Sequence, residues 1–594
     1  MRGSGWKVRW GAAVTLSAIT AAVPVFGFPG VLVGKGGNPG VTHATHVVIM
    51  SNGQLSVVTV MVDYDGPLRP FALLMPAPSD VKRDHVRAVK REFIARLEQL
   101  SAPRFHAFFE QDPCDAGPTE QDWDVRYEVG GAGFLAPEFL PPPERRWTVS
   151  NEISISTEPV FKTGESEFTF QVSNLSGPRE LSAWLAQRSY GVSPEKLAAL
   201  AKATPARGTT LIAEVNPERA ELLADGGLQL GAIRYWTQEP VTRIAATLGN
   251  LNSSGIQDLF VYVLHPTSRF RVANYQNVVL PTNLEIEPSG AERVASLYNA
   301  LFDARLRHEP TSVATEYVWP TTGCGEPCPN APLTLPELLS LGGDVMEANL
   351  VSAAARTPEP EPESEEERML FQERLLGRSA KEKAQALRQH ARDRRELARR
   401  RAIMARQRYV MTRLHLRYDT KQMRRDLELE PVSEAFEGGI GIPSGPKGLL
   451  PHGIRPSKTS HYQVRFTSLF TWPHAYQCQS PVRWRWGRRW KSLDTALRQV
   501  HLATDLPRQP REQSRLGLIQ SPIPELGIVP SIVSSVSAEP FAPAQTKPGK
   551  RSSSPGCATS TASAPPSVFL LSFVSLLAIL HRIRTRWRAA GAHL

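Results

Sequence analysis

The stretch ATHVVIMSNGQLSVVTVMVDY, residues 44–64, carries the clearest statement of fold class. Val47 to Met50 and Leu55 to Val62 are rich in β-branched side chains, which fit a pleated, buried surface better than a helix. Asn52-Gly53 lies between them, and that dipeptide accepts the positive dihedrals of a type I′ hairpin turn. The sequence therefore predicts an antiparallel hairpin. Phe71 to Met75 follows as a further buried strand ending at Pro76.

Beyond the hairpin, Val86, Val89, Phe93 and Leu97 recur at three- and four-residue spacing and predict a helix over Val81 to Leu100. Strands are expected at Ile153 to Ser156, Phe168 to Val172, Thr210 to Val215, Leu228 to Thr237, Leu259 to His265, Phe270 to Tyr275 and Ala314 to Trp319. Tyr409 to Tyr418 and His461 to Phe470 continue the pattern, whereas Leu181 to Gln187, Pro194 to Ala203 and Ala291 to Leu306 read as helices. Strands predominate and helices interrupt them irregularly, so the class is α+β rather than alternating α/β.

The composition breaks at Thr357. Pro and Glu alternate through residues 358–363 as a stiff acidic spacer, and residues 365–408 read as one long charged helix. Ser364 with Glu367 three residues later predicts its capping box. Its apolar stripe, Leu376, Ala380, Leu387, Ala391 and Ala398, is too thin to bury much, so a solvated helix inserted into the β-rich domain is expected. The domain itself then occupies residues 40–350 and 409–490. From about Leu506 to Pro566 the chain is rich in Ser, Pro and Ala without periodicity, the composition of a disordered stalk.

The two ends predict a location. Arg2, Lys7 and Arg9 precede an apolar stretch from Gly11 to Phe28, the layout of a signal peptide over residues 1–28; an uncleaved anchor is the alternative. At the other end Val568 to Leu580 is apolar and is followed by Arg582, Arg584, Arg586 and Arg588. Thirteen helical residues rise about 20 Å against a hydrocarbon core of about 30 Å, so residues 568–588 form a short span whose arginines stay cytoplasmic. Both ends place the intervening domain outside.

The net charge of +11 is concentrated. Residues 368–408 carry fourteen Lys/Arg against four Asp/Glu, so with the four terminal arginines they exceed the whole chain's excess. The basic character belongs to one helix and one anchor. The helix is a candidate contact for an anionic envelope component or a protein partner, with a plain solvated face as the blander reading. Export makes nucleic acid an unexpected partner.

Five cysteines are sparse for 594 residues. In an oxidising compartment Cys114, Cys324, Cys328 and Cys478 are candidates for two disulfides, leaving Cys557 just ahead of the span. Cys324 and Cys328 have a spacing compatible with zinc, but no second such pair exists, so a local disulfide is preferred and no metal ligand is assigned. Arg483-Trp484-Arg485-Trp486-Gly487-Arg488-Arg489-Trp490 interleaves cations with indoles and reads first as cation–π packing within the fold, then as contact with anionic lipid or glycan. No nucleophile elbow, metalloprotease pair, phosphate loop or dinucleotide glycine pattern occurs, so no catalytic residue and no cofactor are assigned. Two readings of function follow: a non-enzymatic binding or structural envelope protein, or an exported enzyme whose site would combine His46, His106 or His415 with perturbed carboxylates.

Several segments resemble the bacterial family called domain of unknown function 2330. They are the Asn52-Gly53 hairpin, Phe71 to Pro78, Leu100-Ser101-Ala102-Pro103-Arg104 and Glu110 to Cys114, with Gln257-Asp258-Leu259, Ala273-Asn274-Tyr275, Pro281-Thr282-Asn283-Leu284, Tyr317 to Cys328 and Thr412 to Tyr418 further on. The likeness covers residues 40–350 and 409–490. Family members carry a cysteine soon after the signal peptide, where this chain has Gly27 and Phe28. The resemblance implies export and a membrane-associated setting, with no assigned activity. Gly556-Cys557 ahead of the short span is similar to a myxobacterial-type sorting signal, which implies processing at Cys557.

Overall fold

The computed structural model describes residues 26–27, 30–115, 166–321, 332–346, 379–487 and 513–528, with short gaps, and a few residues between 369 and 376. Most of the expected signal peptide, the Pro/Glu spacer with Ser364 and Glu367, the strand at 153–156 and the span at 568–588 lie outside these residues. So do Cys324, Cys328, Cys557, Arg582, Arg584, Arg586 and Arg588.

In chain order the elements that position the interior are β1 (Val31–Lys35), β2 (Ala44–Ser51), β3 (Ser56–Val62), β4 (Phe71–Ala77), β5 (Val86–Val89), α1 (Arg91–Ser101) and β6 (Arg104–Glu110). There follow β7 (Phe168–Ser173), α2 (Pro178–Gln187), α3 (Pro194–Ala203), β8 (Thr209–Val215), β9 (Ala232–Thr237) and β10 (Ile256–His265). The chain continues through α4 (Val294–His308), β11 (Val313–Pro320), α5 (Ala380–Arg406), β12 (Val410–Asp419), β13 (His461–Gln463), β14 (Arg465–Phe470) and β15 (Trp486–Gly487).

The main sheet has eleven described strands, and from β11 to its edge it reads β11-β12-β10-β2-β3-β9-β5. β12 is antiparallel to β10, β10 is parallel to β2, and β2 turns back into β3. A strand from after the helical insertion thus lies between strands from before it, so Ile256–His265, Val313–Pro320 and Val410–Asp419 belong to one sheet.

The first hairpin pairs Ser51 with Ser56, which leaves a four-residue loop rather than the expected two-residue turn. Gly53 takes φ 88°, but Asn52 does not enter the left-handed region. The Asn52 carboxamide instead accepts from the backbone N–H groups of Gln54 and Leu55 at 3.0 and 2.8 Å, so its side chain builds the turn.

Four layers explain why these strands are apolar on both faces. One face of the main sheet packs Val47, Val58, Val60, Val261 and Leu414 against Leu32, Leu73, Met75 and Leu211 of a five-stranded sheet built on β7-β8-β4-β1. The outer face of that second sheet is covered by Leu181, Leu185, Leu197 and Leu200 of α2 and α3. On the far side of the main sheet, Phe93, Ile94 and Leu97 of α1 cover Val48, Val57 and Phe260. Leu297, Tyr298 and Leu301 of α4 pack with Phe105 and Phe466. Apolar surface contributes roughly 25 cal/mol per Å² buried, and two-faced burial is what selects continuous β-branched runs here. The α+β class holds.

Two expectations change, and a third is described only in part. Val81 to Leu100 is not one helix: residues 83–85 form a 3₁₀ turn, and Val86–Val89 is an edge strand paired with Ala232–Tyr235 before α1 begins at Arg91. A sheet edge beside Val-Arg-Ala-Val outweighed a helical spacing, because alternate residues of the strand meet its neighbour. The long helix is described over Ala380–Arg406, where Glu382 Oε2 accepts from Ser379 N at 2.9 Å; most of the expected stretch from 365 to 378 lies outside the described residues. Leu387 is 52 % exposed, in keeping with a solvated helix. Within the stretch expected as stalk, Ile519, Ile523 and Leu526 pack in the α4 core, and Gln520 N donates to Glu285 O at 2.7 Å. No described helix is long and apolar enough to cross a membrane.

Candidate functional site

β12 reads VMTRLHLRYD, so Arg413, His415 and Arg417 alternate with Leu414, Leu416 and Tyr418. The two-residue period of a strand sends the cations to one face and the apolar side chains to the other. Leu414, Leu416 and Tyr418 enter the core between the sheets. The cationic face would ordinarily meet water, but α1 and α4 cover it. Arg413, His415 and Arg417 are all buried.

Register supplies their partners. Asp258 on β10 stands opposite Arg417, and Phe260 stands opposite His415 on one side and His46 on the other. Arg417 donates to both Asp258 oxygens at 2.7 and 2.9 Å and reaches Asp303 of α4 at 3.1 Å. On β11 the pairing shifts between Thr315 and Tyr317, making Glu316 the extra residue of a β-bulge. Bulges re-aim a side chain. Here Glu316 Oε1 lies 2.6 Å from His415 Nδ1, and Oε2 lies 2.7 Å from Arg413 Nε. His415 Nε2 is 3.1 Å from Asp258 Oδ1, and Tyr298 OH donates to Glu316.

The imidazole of His415 is held between Phe260 and Phe302, with ring centroids 4.2 and 4.3 Å away. Burial alone would strip its proton, but Glu316 and Asp258 outweigh burial and raise its pKa. Burial likewise favours a neutral Asp258 and Glu316, yet Arg417 with His415, and His415 with Arg413, hold both carboxyls below their ordinary range. His46 behaves oppositely: burial, then Arg91, Arg413 and His415, push it well below 6.5 and keep it neutral. It stacks on Phe260 at 4.9 Å, and its Nε2 is buried without a partner.

The structure therefore brings together His46 and His415, two of the three histidines singled out by sequence, with carboxylates that no motif marks. His106 lies elsewhere, on β6. The signal that could have found them is Asp258 beside the otherwise apolar run LFVYVLH, together with cations at alternate positions of β12. Chemically, both His415 nitrogens face carboxylates, which favours its charged form and leaves neither nitrogen free for a substrate. His46, His415, Asp258, Glu316 and Arg413 are at most 1 % exposed. Among the described residues, no group of three or more metal-ligating side chains is gathered for an ion.

The other sequence candidates meet at a second place. Cys114 and Cys478 form a disulfide with a Cα–Cα distance of 5.4 Å across 364 residues. Beside it, buried Glu110 accepts from Arg483 Nε and Nη2 at 2.6 and 3.0 Å, and from the backbone N–H groups of Trp472 and Trp484 at 3.0 and 2.9 Å. Burial would raise the Glu110 pKa, but these four bonds lower it. Arg483 also lies over the Trp484 ring at 4.1 Å, and Trp486 is buried. The described part of the Arg-Trp run packs within the fold.

Neither a curated protein nor a solved structure matches the chain. A family model does match, over residues 23–430, and it begins earlier and ends earlier than the likeness read from motifs. The segments holding Asp258 and His415 both fall inside it. The chain belongs to the family described as uncharacterized protein conserved in bacteria (DUF2330).

Proposed function

We propose that this chain is an exported cell-envelope protein that works by contact rather than by catalysis. The observation that carries the export reading is the Cys114–Cys478 bond, which joins the end of β6 to the last strand region of the domain. Disulfides persist in oxidising compartments and are rare in the cytosol. The basic lead before the apolar N-terminal stretch, and the short apolar span followed by four arginines, support the same address. On this reading residues 568–588 hold the chain at a membrane, and Cys557 is where a sorting signal is processed.

Support for contact over catalysis comes from the sealed charge cluster, whose imidazole has both nitrogens occupied by carboxylates. The solvated helix α5 is the part available for an anionic envelope component, carrying ten Lys/Arg against three Asp/Glu between Ala380 and Arg406. The alternative, an exported enzyme, would need a path from solvent to His46 and His415.

The test is terminal mass spectrometry on protein recovered from separated envelope fractions, with surface proteolysis of intact cells. The expected result is loss of residues before about 30, a chain ending near Cys557, Cys114 and Cys478 resistant to alkylation until reduced, and protease accessibility. Both termini intact, with the two thiols free and the chain protected inside the cell, would overturn the reading.

A further inference from the structure

β6 and β14 run parallel, with Arg104 opposite Arg465 and His106 opposite Thr467. The strand period puts Arg104, His106 and Phe108 on the same face as Arg465, while Phe105, Ala107, Phe109 and Phe466 of the other face pack under α4. Arg104 and Arg465 are 6 % and 3 % exposed; His106 is partly exposed.

Neither guanidinium is fully satisfied. Arg465 donates from Nε to Asn283 Oδ1 at 2.6 Å and from Nη2 to the carbonyls of Ile440 and Gly441, both at 2.8 Å. Its Nη1 is buried with no partner. Arg104 donates from Nη2 to Leu100 O at 2.7 Å, and its Nε is likewise buried and unpartnered. Buried charges are ordinarily paired, because an uncompensated one carries its full desolvation penalty.

No carboxylate meets this group among the described residues. The charged or titratable groups acting on Arg104 are Tyr317 and Arg96; on Arg465, Arg104; on His106, Arg465 and Arg104. Arg96 is itself paired with Glu337 at 3.0 Å. Residues 444–449, between Gly441 and Leu450, contain no Asp or Glu. Burial and the neighbouring cations push His106 down to about 3, so at neutral pH it is an uncharged hydrogen-bonding group.

The arrangement is preset by the backbone. Gly439 has φ +72°, and a Cβ there would stand 1.8 Å from Gln463 O, so only glycine brings the following carbonyls over Arg465. Asn283 sits at φ 55°, a conformation Asn tolerates, and its amide also donates to Pro451 O at 2.8 Å. One edge of the Arg465 fork is thus fixed and the other left open.

We propose that Arg104 and Arg465 form an anion site for a small free oxyanion of the phosphate or sulfate class, with Arg465 Nη1 and Arg104 Nε as donors and His106 at the partly exposed side. With one guanidinium nitrogen offered by each of two arginines, a centre carrying several oxygens suits the pair better than a point anion. The site is independent of the export reading.

The experiment uses full-length protein purified without phosphate or sulfate. Inorganic phosphate and sulfate are titrated at constant ionic strength, with calorimetry and thermal unfolding as readouts. Acid-denatured protein is analysed by ion chromatography for an anion carried through purification. Expected are saturable binding or about one co-purified oxyanion per chain, a Tm that rises with the anion, and about a tenfold or greater loss of affinity in Arg465→Lys, which keeps the charge but not the fork. Arg271→Gln, which removes an exposed ion pair elsewhere, leaves affinity unchanged. If Arg465→Lys fails to fold, the titration and the ion analysis of the unaltered chain still decide. Inert anions with none co-purified overturn the proposal, including the case in which a carboxylate of the chain fills the place. Equal affinity in Arg465→Lys and the parent also overturns it.

Discussion

The cluster around His415 and the pair Arg104–Arg465 use the same means of burial and end in opposite electrostatic conditions. The first places cations at alternate positions of one strand and the second at facing positions of two neighbouring strands, and in both another part of the chain covers that face. The C-terminal end of α1 serves both: Ser101 Oγ is 3.4 Å from Arg413 Nη1, and Leu100 O accepts from Arg104. Around His415 three cations meet Asp258, Glu316 and Asp303. Around Arg465 the described residues offer carbonyls, an amide and the Phe108 ring, and Arg465 Nη1 and Arg104 Nε are left without a hydrogen-bond partner. Alternation along a strand decides which face a charge occupies, while the register of the neighbouring strand decides whether it meets a counter-charge. A closed cluster suits a structural part, and the open one is the place proposed for a ligand.

If the closed cluster is structural, Glu316 is where its loss costs most. Glu316→Gln leaves Arg413 and His415 without their shared anion, and removing one partner of a buried pair costs about 3–5 kcal/mol. The expected result is a lower urea midpoint at unchanged slope. A loss below about 1 kcal/mol would mean that the cluster does not hold the sheet together.

Next in size is the disulfide, because it closes a loop of 364 residues. Replacing Cys114 and Cys478 together with serine is expected to cost about 2–5 kcal/mol, measured by denaturation. Adding reductant to the parent is expected to reproduce the loss.

The third prediction concerns pH. The pKa of His415 is raised in the fold, so its stabilisation is fully present below the unfolded value of about 6.5 and is lost as pH rises through the folded value. Glu110, Asp258 and Glu316 are depressed, so their contribution is present above the unfolded carboxyl range of about 4 and is lost as pH falls. Stability measured in urea across pH therefore declines on both sides. His415→Gln is expected to flatten the alkaline limb and to weaken the acid limb only in part, since Arg413, Arg417 and the bonds to Glu110 still depress the carboxyls; an unchanged alkaline limb would show that His415 is not the titrating group.

The smallest effect belongs to the open pair. Arg104→Met removes a cation that has no described counter-charge, and the methionine fills similar volume. In anion-free buffer the cost is expected to stay within about 1 kcal/mol, far below that of Glu316→Gln. Added phosphate then widens the gap between Arg104→Met and the parent, read as a difference in Tm.

Part of this was legible beforehand. The helix from Pro194 to Ala203 forms where expected, because Pro194 suits the first helical position and Ser193 Oγ caps the first turn by accepting from Lys196 N at 3.3 Å. Val47 to Met50 and Leu55 to Val62 form their hairpin, although the side chain of Asn52 replaced the expected backbone conformation. Val86 to Val89 misled, since valines at a three-residue interval satisfy a helix stripe and a short edge strand alike. Of the charge cluster, Arg413, His415 and Arg417 could be placed on one face from spacing alone. Asp258 and Glu316 lie 157 and 99 residues from His415, and nothing local marked either as its partner.

The β-rich class, the positions of most strands, the solvated basic helix and the sharing of strand faces were all written in the chain itself. Local forces govern them: β-branching, turn chemistry and a period of two or 3.6. The order of strands in the sheet, the bulge that turns Glu316 inward, the choice of Cys478 as the partner of Cys114, and the absence of a described counter-charge beside Arg104 and Arg465 emerged only on folding. Each is a relation between residues far apart in the chain, fixed by which packed faces exclude water together, and no periodicity within either segment encodes the other's position.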